Sequence, residues 1–444
     1  MKKIVIVGGG AGGLELATRL GQKLGKYGLA EVTLIDRNRT HLWKPLLHEV
    51  VSGSLDTGLE AISYRAHSSE NHYYFRMGSL CGLDKEKRQL ILAPLEDHHG
   101  KQILQQRFID YDYLVLAIGA SSNDFGNASV HEHCYRLDSA QEAEDFHLTF
   151  LNRFMQYSEE NCLNMDPETP CENTSEDLSD TVTISIVGAG ATGVELAAEL
   201  YQAVDQLERF GIREIHHSSL EVNLIEAADR ILPALSESVS GKAAQTLEEQ
   251  GVKILCNTMV QEVHANSLQT SSGEIHSDLI VWAAGIKAAE FLSRLGLQTN
   301  RIHQVEIEAT LLAKGEERIF AIGDCCSFTP EGAQRPVPPT AQAAHQMAKL
   351  CADNLIAIVK RKPLQTFEYY DHGTLVSLGP FKTLGQLLNQ MIKRKWQVEG
   401  KLAYWLYASL YRQHQLALYG GRKFFWIWLS SLLEKRIKPK LKLY

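Results

Sequence analysis

Two stretches decide how this chain is read: KIVIVGGGAGG (Lys3–Gly13) and TISIVGAGATG (Thr183–Gly193). Each is a short β-branched run that meets Gly-x-Gly-x-x-Gly, through Gly8, Gly10 and Gly13 in the first copy and Gly188, Gly190 and Gly193 in the second. Each then passes through a helix-like stretch to a second strand ending in an acid, VTLID at Asp36 and VNLIE at Glu226. A glycine triplet alone is a weak signal. Strand, turn, helix, strand and terminal acid together specify a dinucleotide-binding βαβ unit. The glycines permit a tight turn and bring backbone close to a pyrophosphate, whose charge then rests on a helix N-terminus. Two copies imply two dinucleotides, a flavin that stays and a nicotinamide that visits. The expected fold class is α/β with two Rossmann-like domains.

At 444 residues the chain exceeds one ordinary domain. Residues 1–117 read as the first part of the flavin domain, closing on the strand YLVLAIGA (Tyr113–Ala120). Residues 118–287 read as the nicotinamide domain, closing on LIVWAAGI (Leu279–Ile286). Residues 288–380 return to the flavin domain through IFAIGD, which ends at Asp324, and residues 381–444 form a separate C-terminal region. After Gly193 a long helix is expected with Leu196, Leu200, Val204 and Leu207 on one face. Residues 158–181 hold eight acids, two prolines and no lysine or arginine, which reads as an exposed or partly disordered insertion.

No run of 18 apolar residues is present, so no transmembrane helix is expected. The opening MKKIVIVGGG has too short an apolar run for a signal peptide and reads as a first strand. The eight cysteines lack a framework spacing, which fits reduced thiols in a cytoplasmic setting. The net charge of −8 hides a segregation: residues 381–444 carry thirteen lysines and arginines against two acids. Trp396, Trp405, Trp426 and Trp428 lie there too, in two amphipathic stretches, Lys401–Tyr419 and Arg422–Ile437. A basic, aromatic end on an acidic body reads as an amphipathic helical anchor for an anionic membrane surface. A helical dimer interface is the competing use of the same residues. Nucleic acid suits such a patch but not this body, so no nucleic-acid partner is expected.

Asp36 and Glu226 stand where a carboxylate accepts hydrogen bonds from an adenosine ribose. A 2′-phosphate about 4 Å from Glu226 would cost on the order of 4 kcal/mol at an effective dielectric near 20. No arginine follows directly, since Ala227 and Ala228 come next, so NADH is favoured over NADPH. Gly323-Asp324 closes a strand and resembles the second flavin motif of two-dinucleotide flavoproteins, whose aspartate bonds the ribityl chain.

Together these segments make the chain resemble the type II NADH:quinone oxidoreductases, the single-subunit, non-proton-pumping respiratory dehydrogenases of bacteria. The carriers are VGGGAGGLELA, LIDRNRTHLWKPLLHEV, VGAGATGVELAAEL, AAGIKA, FAIGDC, PPTAQAAHQMA and SLYRQHQLALYG, spanning nearly the whole chain. The likeness is greatest to members with a basic C-terminal tail, and the insertion at 158–181 belongs to no motif. The resemblance implies a glutathione-reductase-like two-dinucleotide flavoprotein with non-covalent FAD, NADH and quinone as substrates, and no metal. It places cofactors against Gly8, Gly10, Gly12, Gly13, Asp36, Lys44, Gly119, Gly188, Gly190, Gly193, Glu195, Glu226, Gly285, Gly323, Asp324, Ala341 and Gln342. Catalytic roles fall to Glu195, Lys44, Gln342 and Gln346. It further implies a homodimer, peripheral on the cytoplasmic face of the bacterial inner membrane and drawing on the membrane quinone pool.

In the family the segment matching Ala341–Gln346 lies beside the flavin and forms the quinone pocket. Gln342 and Gln346 are four apart on a helix, so both amides point one way, and neutral donors suit quinone carbonyls. His345 lies beside that face and reads as structural, with Thr340 as the helix cap. Without the family the segment is an ordinary alanine-rich helix. Lys44 either holds negative charge developing near the flavin or is a surface lysine. Glu195 either relays protons and orients the nicotinamide or is a helix-start acid stabilised by the dipole.

A sulfide:quinone oxidoreductase shares this architecture and needs cysteines flanking the flavin, for which Cys134, Cys162 and Cys351 are candidates. It has no use for Glu226 and an intact second fingerprint. A disulfide reductase is a weaker reading still, since no Cys-x-x-Cys or Cys-x4-Cys follows the first fingerprint and adjacent Cys325-Cys326 are poorly suited to such a relay. A non-catalytic NADH-sensing membrane flavoprotein is the alternative from another class. Glu226→Ala is expected to weaken NADH use and to narrow the preference over NADPH at least about tenfold, the charge repulsion having been removed. An unchanged ratio of kcat/KM for the two cofactors would show that Glu226 is not the selector.

Overall fold

The computed structural model describes residues 1–97, 99–164, 181–209, 215–379, 383–389 and 394–437. Each fingerprint lies inside a five-stranded parallel sheet. The first sheet runs Ile319–Ala321, Tyr113–Leu116, Lys2–Val7, Ala30–Asp36, Tyr74–Met77. The second runs Tyr135–Arg136, Leu279–Trp282, Val182–Val187, Leu220–Ile225, Lys253–Leu255. Both central strands are buried on both faces, Ile4, Ile6, Ile184 and Ile186 being wholly inaccessible, as parallel sheets covered by helices require. The α/β architecture is thus as the sequence reads. The chain leaves and re-enters the first sheet through two connectors, Ser121–Ser122 and Ile286–Lys287, which pair antiparallel.

Helix Ala11–Lys23 follows the first fingerprint, and no side chain caps its N-terminus. Helix Ala191–Arg209 follows the second and buries Leu196, Leu200, Val204 and Leu207, the stripe that its periodicity marks. Helix Ala341–Val359 starts at Thr340, whose hydroxyl accepts from the Ala343 amide. It packs across the first fingerprint helix, where a Cβ on Gly12 would stand 3.3 Å from the Ala344 carbonyl oxygen. Helix Ala140–Asn164 carries residues 158–164 of the acidic stretch in helical form, which corrects the expected loop there. The rest of the stretch, residues 165–180, lies outside the described residues.

The C-terminal region holds the expected helices and, before them, strands that the sequence reading did not assign. Thr383–Asn389 and Arg394–Glu399 are strands, joined with Gly373–Ser377 in an antiparallel sheet. The two expected amphipathic helices follow as one element, Gly400–Ile437, broken at Gly420 with φ 68° and ψ 165°. Only glycine adopts that backbone readily, so the break is encoded where the two patterns meet. Its first half docks on the body. Ala403 and Leu418 are buried, the Tyr411 hydroxyl donates to Glu60 at 2.7 Å, and the Trp43 ring stacks on Tyr411 and His414. The second half presents Phe425, Trp426 and Trp428 to the exterior. Among the described residues no helix is long and apolar enough to cross a membrane.

The two halves therefore differ in what they stabilise. A chain ended after Gly420 is expected to melt within about 3 °C of the full protein, whereas one ended after Glu399 melts at least about 10 °C lower because core side chains lose their cover. Thermal denaturation of both would decide it. Equal melting of the two would show that residues 400–420 are not part of the core.

Candidate active site at the carboxyl ends of the two sheets

In the first fingerprint Gly8 has φ +103°, and an added Cβ would stand 2.3 Å from the Ala117 carbonyl oxygen. A Cβ on Gly13 would sit 1.8 Å from the Gly8 carbonyl oxygen, so turn and helix close on each other only through glycine. Around Gly10 the space is open. Asp36 accepts from the Gly9 amide at 2.6 Å and the Asn38 amide at 2.7 Å. Burial nonetheless raises the Asp36 carboxyl above its ordinary value, against those two amides and Arg37. A carboxylate has about four lone-pair sites, so two remain for ribose hydroxyls.

The second fingerprint repeats this plan. Gly188 has φ +104°, a Cβ on Gly193 would meet the Gly188 carbonyl oxygen at 2.0 Å, and Gly190 faces open space. Glu226 accepts from the Ala189 amide at 2.8 Å and the Ala228 amide at 3.0 Å. A cavity of about 340 Å³ opens here, lined by Gly188, Gly190, Glu226, Ala227, Thr258, Met259 and Gly285 among others.

Asp324 follows Gly323 (φ +72°) at the end of the edge strand of the first sheet. Its carboxylate meets no hydrogen-bond donor among the described residues, and burial raises it above its ordinary value, opposed by the charge of Lys44. A half-buried carboxylate without a donor is a place where a ligand hydroxyl belongs. Lys44 is not a free surface lysine. Its ammonium donates to the Ala120 carbonyl at 2.9 Å, just past the open turn at Gly119, and to Asp138 at 3.0 Å.

Gln342 and Gln346 do point the same way, but toward main chain. The Gln346 amide brackets Tyr370, donating to its carbonyl at 2.7 Å and accepting from its N–H at 2.9 Å. Gln342 donates to Asp371 and to the Gly373 carbonyl at 3.3 Å and accepts from His372 N–H at 3.2 Å. The amides expected to face a ligand instead hold residues 370–373 against the helix that begins at Ala341. His345 pairs with buried Glu15 at 2.6 Å, the structural role expected of it.

Glu195 is buried, accepts from Ser377 N–H at 3.1 Å and bonds the Tyr407 hydroxyl. Burial pushes its carboxyl up to about 8, with Glu49 and Glu199 adding to the rise. His48 Nδ1 lies 3.6 Å from it, but burial lowers that imidazole to about 4, so the contact is between neutral groups at pH 7.

Several site residues carried no local signal. Tyr64 OH donates to the Gly9 carbonyl at 2.8 Å, and His41 Nδ1 bonds the same oxygen at 2.9 Å. His41 Nε2 then contacts His414 Nε2 at 3.0 Å, which requires His414 to donate. Burial lowers His41 to about 4 and His414 to about 3, so both are neutral. The tail thus reaches the first fingerprint through a chain of two imidazoles.

This geometry coincides with what the chain is similar to. The family model described as pyridine nucleotide-disulphide oxidoreductase matches residues 2–348. A type II NADH:quinone oxidoreductase of Haemophilus influenzae is 47% identical over 446 residues, covering 100% of both chains. One from Staphylococcus aureus is 30% identical, covering 89% of this chain and 92% of that one. The chain belongs to the type II NADH:quinone oxidoreductase family. The structure of NDH2 from Plasmodium falciparum in complex with NADH superposes with TM-score 0.81 at 19% identity, over 100% and 99% of the two chains. The sulfide:quinone oxidoreductase of Aquifex aeolicus, TM-score 0.68 at 17% identity over 94% and 91%, shares the fold alone.

Within this family member the cysteines give the sulfide reading no support. Cys351 is fully buried with its thiol held well above the usual range by desolvation, and Cys134 lies beside the second sheet, away from the first fingerprint. The Cys162 side chain lies outside the described residues.

Glu195 makes stability depend on pH. Unfolded, a glutamate loses its proton near pH 4.3, whereas folded Glu195 holds it to about 8. Its contribution is complete below the unfolded value and is lost as pH rises through that window. Glu195→Gln keeps an acceptor for Ser377 and removes the titration. The melting temperature of the variant minus that of the parent is expected to rise by several degrees, about 3–8 °C, from pH 5 to pH 8.5. Parallel curves would show that Glu195 is ionised in the fold.

Proposed function

We propose that this protein is a non-electrogenic NADH dehydrogenase that reduces a membrane quinone. The observation that carries the flavin assignment is Asp324, a half-buried carboxylate without a donor among the described residues, at the end of a strand of the sheet that also bears the first fingerprint. Residues 1–117 and 288–380 are assigned to FAD and residues 118–287 to NADH. When bound, FAD supplies the chemistry, accepting hydride from NADH and returning two electrons to quinone.

The chain's own residues bind, orient and exclude. Gly8 and Gly13 make the tight turn from strand to helix, Gly12 lets the helix from Ala341 close on it, Gly10 leaves room for the FAD pyrophosphate, Asp36 takes its adenosine ribose, and Asp324 takes its ribityl hydroxyls. Gly119, Gly323 and Ala341 give close backbone approach along the same cofactor. Lys44, tied to Ala120 and Asp138, sets positive charge beside Asp324. Gly188, Gly190, Gly193 and Gly285 do for NADH what the first glycines do for FAD, and Glu226 repels a 2′-phosphate. Glu195, protonated at neutral pH, is a store from which a proton can leave toward reduced quinone. Gln342 and Gln346 act by fixing residues 370–373 as one wall of the quinone pocket.

For the tail, the exposed Phe425, Trp426 and Trp428 with Arg422 and Lys423 suit an in-plane position on an anionic leaflet, here the cytoplasmic face of the bacterial inner membrane. A homodimer is proposed on the family resemblance.

Anaerobic mixing tests the assignment. NADH is expected to bleach the visible band of the purified flavoprotein, a soluble ubiquinone or menaquinone analogue to restore it, and sulfide to leave it unchanged. Protein that contains no flavin and gains none from added FAD would overturn the reading, as would bleaching by sulfide but not by NADH.

A further inference from the structure

The cavity at the second fingerprint has one wall that the family motifs do not describe. Phe125 comes from the connector between the two sheets, not from the strand–turn–helix that makes the fingerprint. It lines the cavity with Glu226, Ala227, Thr258 and Met259. Its side chain is 67% exposed, an unusual place for a phenylalanine that could turn inward. Its φ is +51°, a backbone that a bulky L-residue rarely adopts.

The fold holds it there. Ser121–Ser122 pairs with Ile286–Lys287, and the Asn123 amide donates to the Gly285 carbonyl at 3.3 Å. Trp282 Nε1 donates to the Asn123 carbonyl at 2.8 Å. Asn123 Oδ1 accepts from the Phe125 amide at 3.0 Å, and Asp124 accepts from Gly126 N–H, Lys287 and His131. The ring so presented stands over Gly285, where a Cβ would come within 2.9 Å of its edge. Met259, 56% exposed and lining the same cavity, offers a second apolar surface on a backbone anchored to Ser271. Two large apolar side chains kept in solvent beside a carboxylate suited to an adenosine ribose make a platform for a flat ring. A strained position over-determined by its surroundings is the pattern found at ligand clamps.

We propose that Phe125, with Met259 lining the same cavity, is a binding clamp on the ADP half of NADH, stacking on the adenine. This rests on the NADH reading above. A π-face accepts a base without hydrogen-bond readout, so the clamp adds affinity and leaves the choice between NADH and NADPH to Glu226. Removing an aromatic platform from a base weakens binding by about fivefold or more.

The test uses the full-length flavoprotein, with ADP-ribose as competitive inhibitor of flavin reduction by NADH. Phe125→Ala is expected to raise KM for NADH and Ki for ADP-ribose together, each by about fivefold or more, and Phe125→Tyr or Phe125→Trp to restore both to within about twofold of the parent. Met259→Ala is expected to move both constants in the same direction by a smaller factor. Unchanged constants in Phe125→Ala overturn the proposal. So does a KM that rises while Ki stays, which would put the ring on the nicotinamide half. A loss that Phe125→Tyr does not restore, accompanied by a lowered melting temperature, also overturns it, since Phe125 would then be bracing the connector. If the parent protein itself is neither reduced by NADH nor inhibited by ADP-ribose, it is the functional reading that fails, not the clamp.

Discussion

Everything in this protein hangs on one close approach made twice. The carbonyl of Gly8 occupies the space a Cβ on Gly13 would need, and Gly188 stands in the same relation to Gly193. That contact turns the chain from strand to helix within a few residues and leaves the helix N-terminus without a side-chain cap. The free amides there are what an anion requires. The terminal acid of the neighbouring strand then locks the turn from below, Asp36 on Gly9 and Glu226 on Ala189. The cradle is braced by hydrogen bonds within the protein itself, which lowers the ordering that binding would require.

Around the first cradle the structure adds a layer of buried neutral polar groups. The Gly9 carbonyl takes two donors, Tyr64 and His41, and His41 in turn takes His414 from the tail. A charged residue at any of these positions would need a partner in a dry site, whereas neutral imidazoles and a phenol satisfy the carbonyl without that cost. The tail is therefore both cover for the fingerprint and the base from which the aromatic end projects. Gly420 separates the two roles, letting the outer half take its own direction.

Glu195 and Gln346 show two ways in which a site residue differs from its motif. Glu195 stands where the motif puts it, but burial with Glu49 and Glu199 nearby keeps its proton at neutral pH. Gln346 also stands where the motif puts it, yet both ends of its amide are taken by Tyr370. What it holds in place is the start of residues 370–373. Local pattern names the side chain, and the surroundings fix what it has left to offer.

The sheets, the two cradles, the strand-end acids Asp36 and Glu226 and the helix from Ala341 are legible in the amino-acid sequence, because each is set by contacts within a few turns of chain. Glycine spacing, β-branched runs and a terminal acid specify a βαβ unit wherever it sits. The stripe Leu196, Leu200, Val204 and Leu207 is equally local. What only the tertiary structure decided is long-range. That Tyr64, His41 and His414 converge on Gly9, that residues 370–373 occupy the amides of Gln342 and Gln346, and that 383–389 and 394–399 form strands all depend on segments far apart in sequence. The stretch before Gly400 has a mixed composition that no short-range periodicity distinguishes from loop. Phe125 is the clearest case: in sequence it is one apolar residue in a connector, and only the pairing of two connectors over Gly285 gives it a cavity to line.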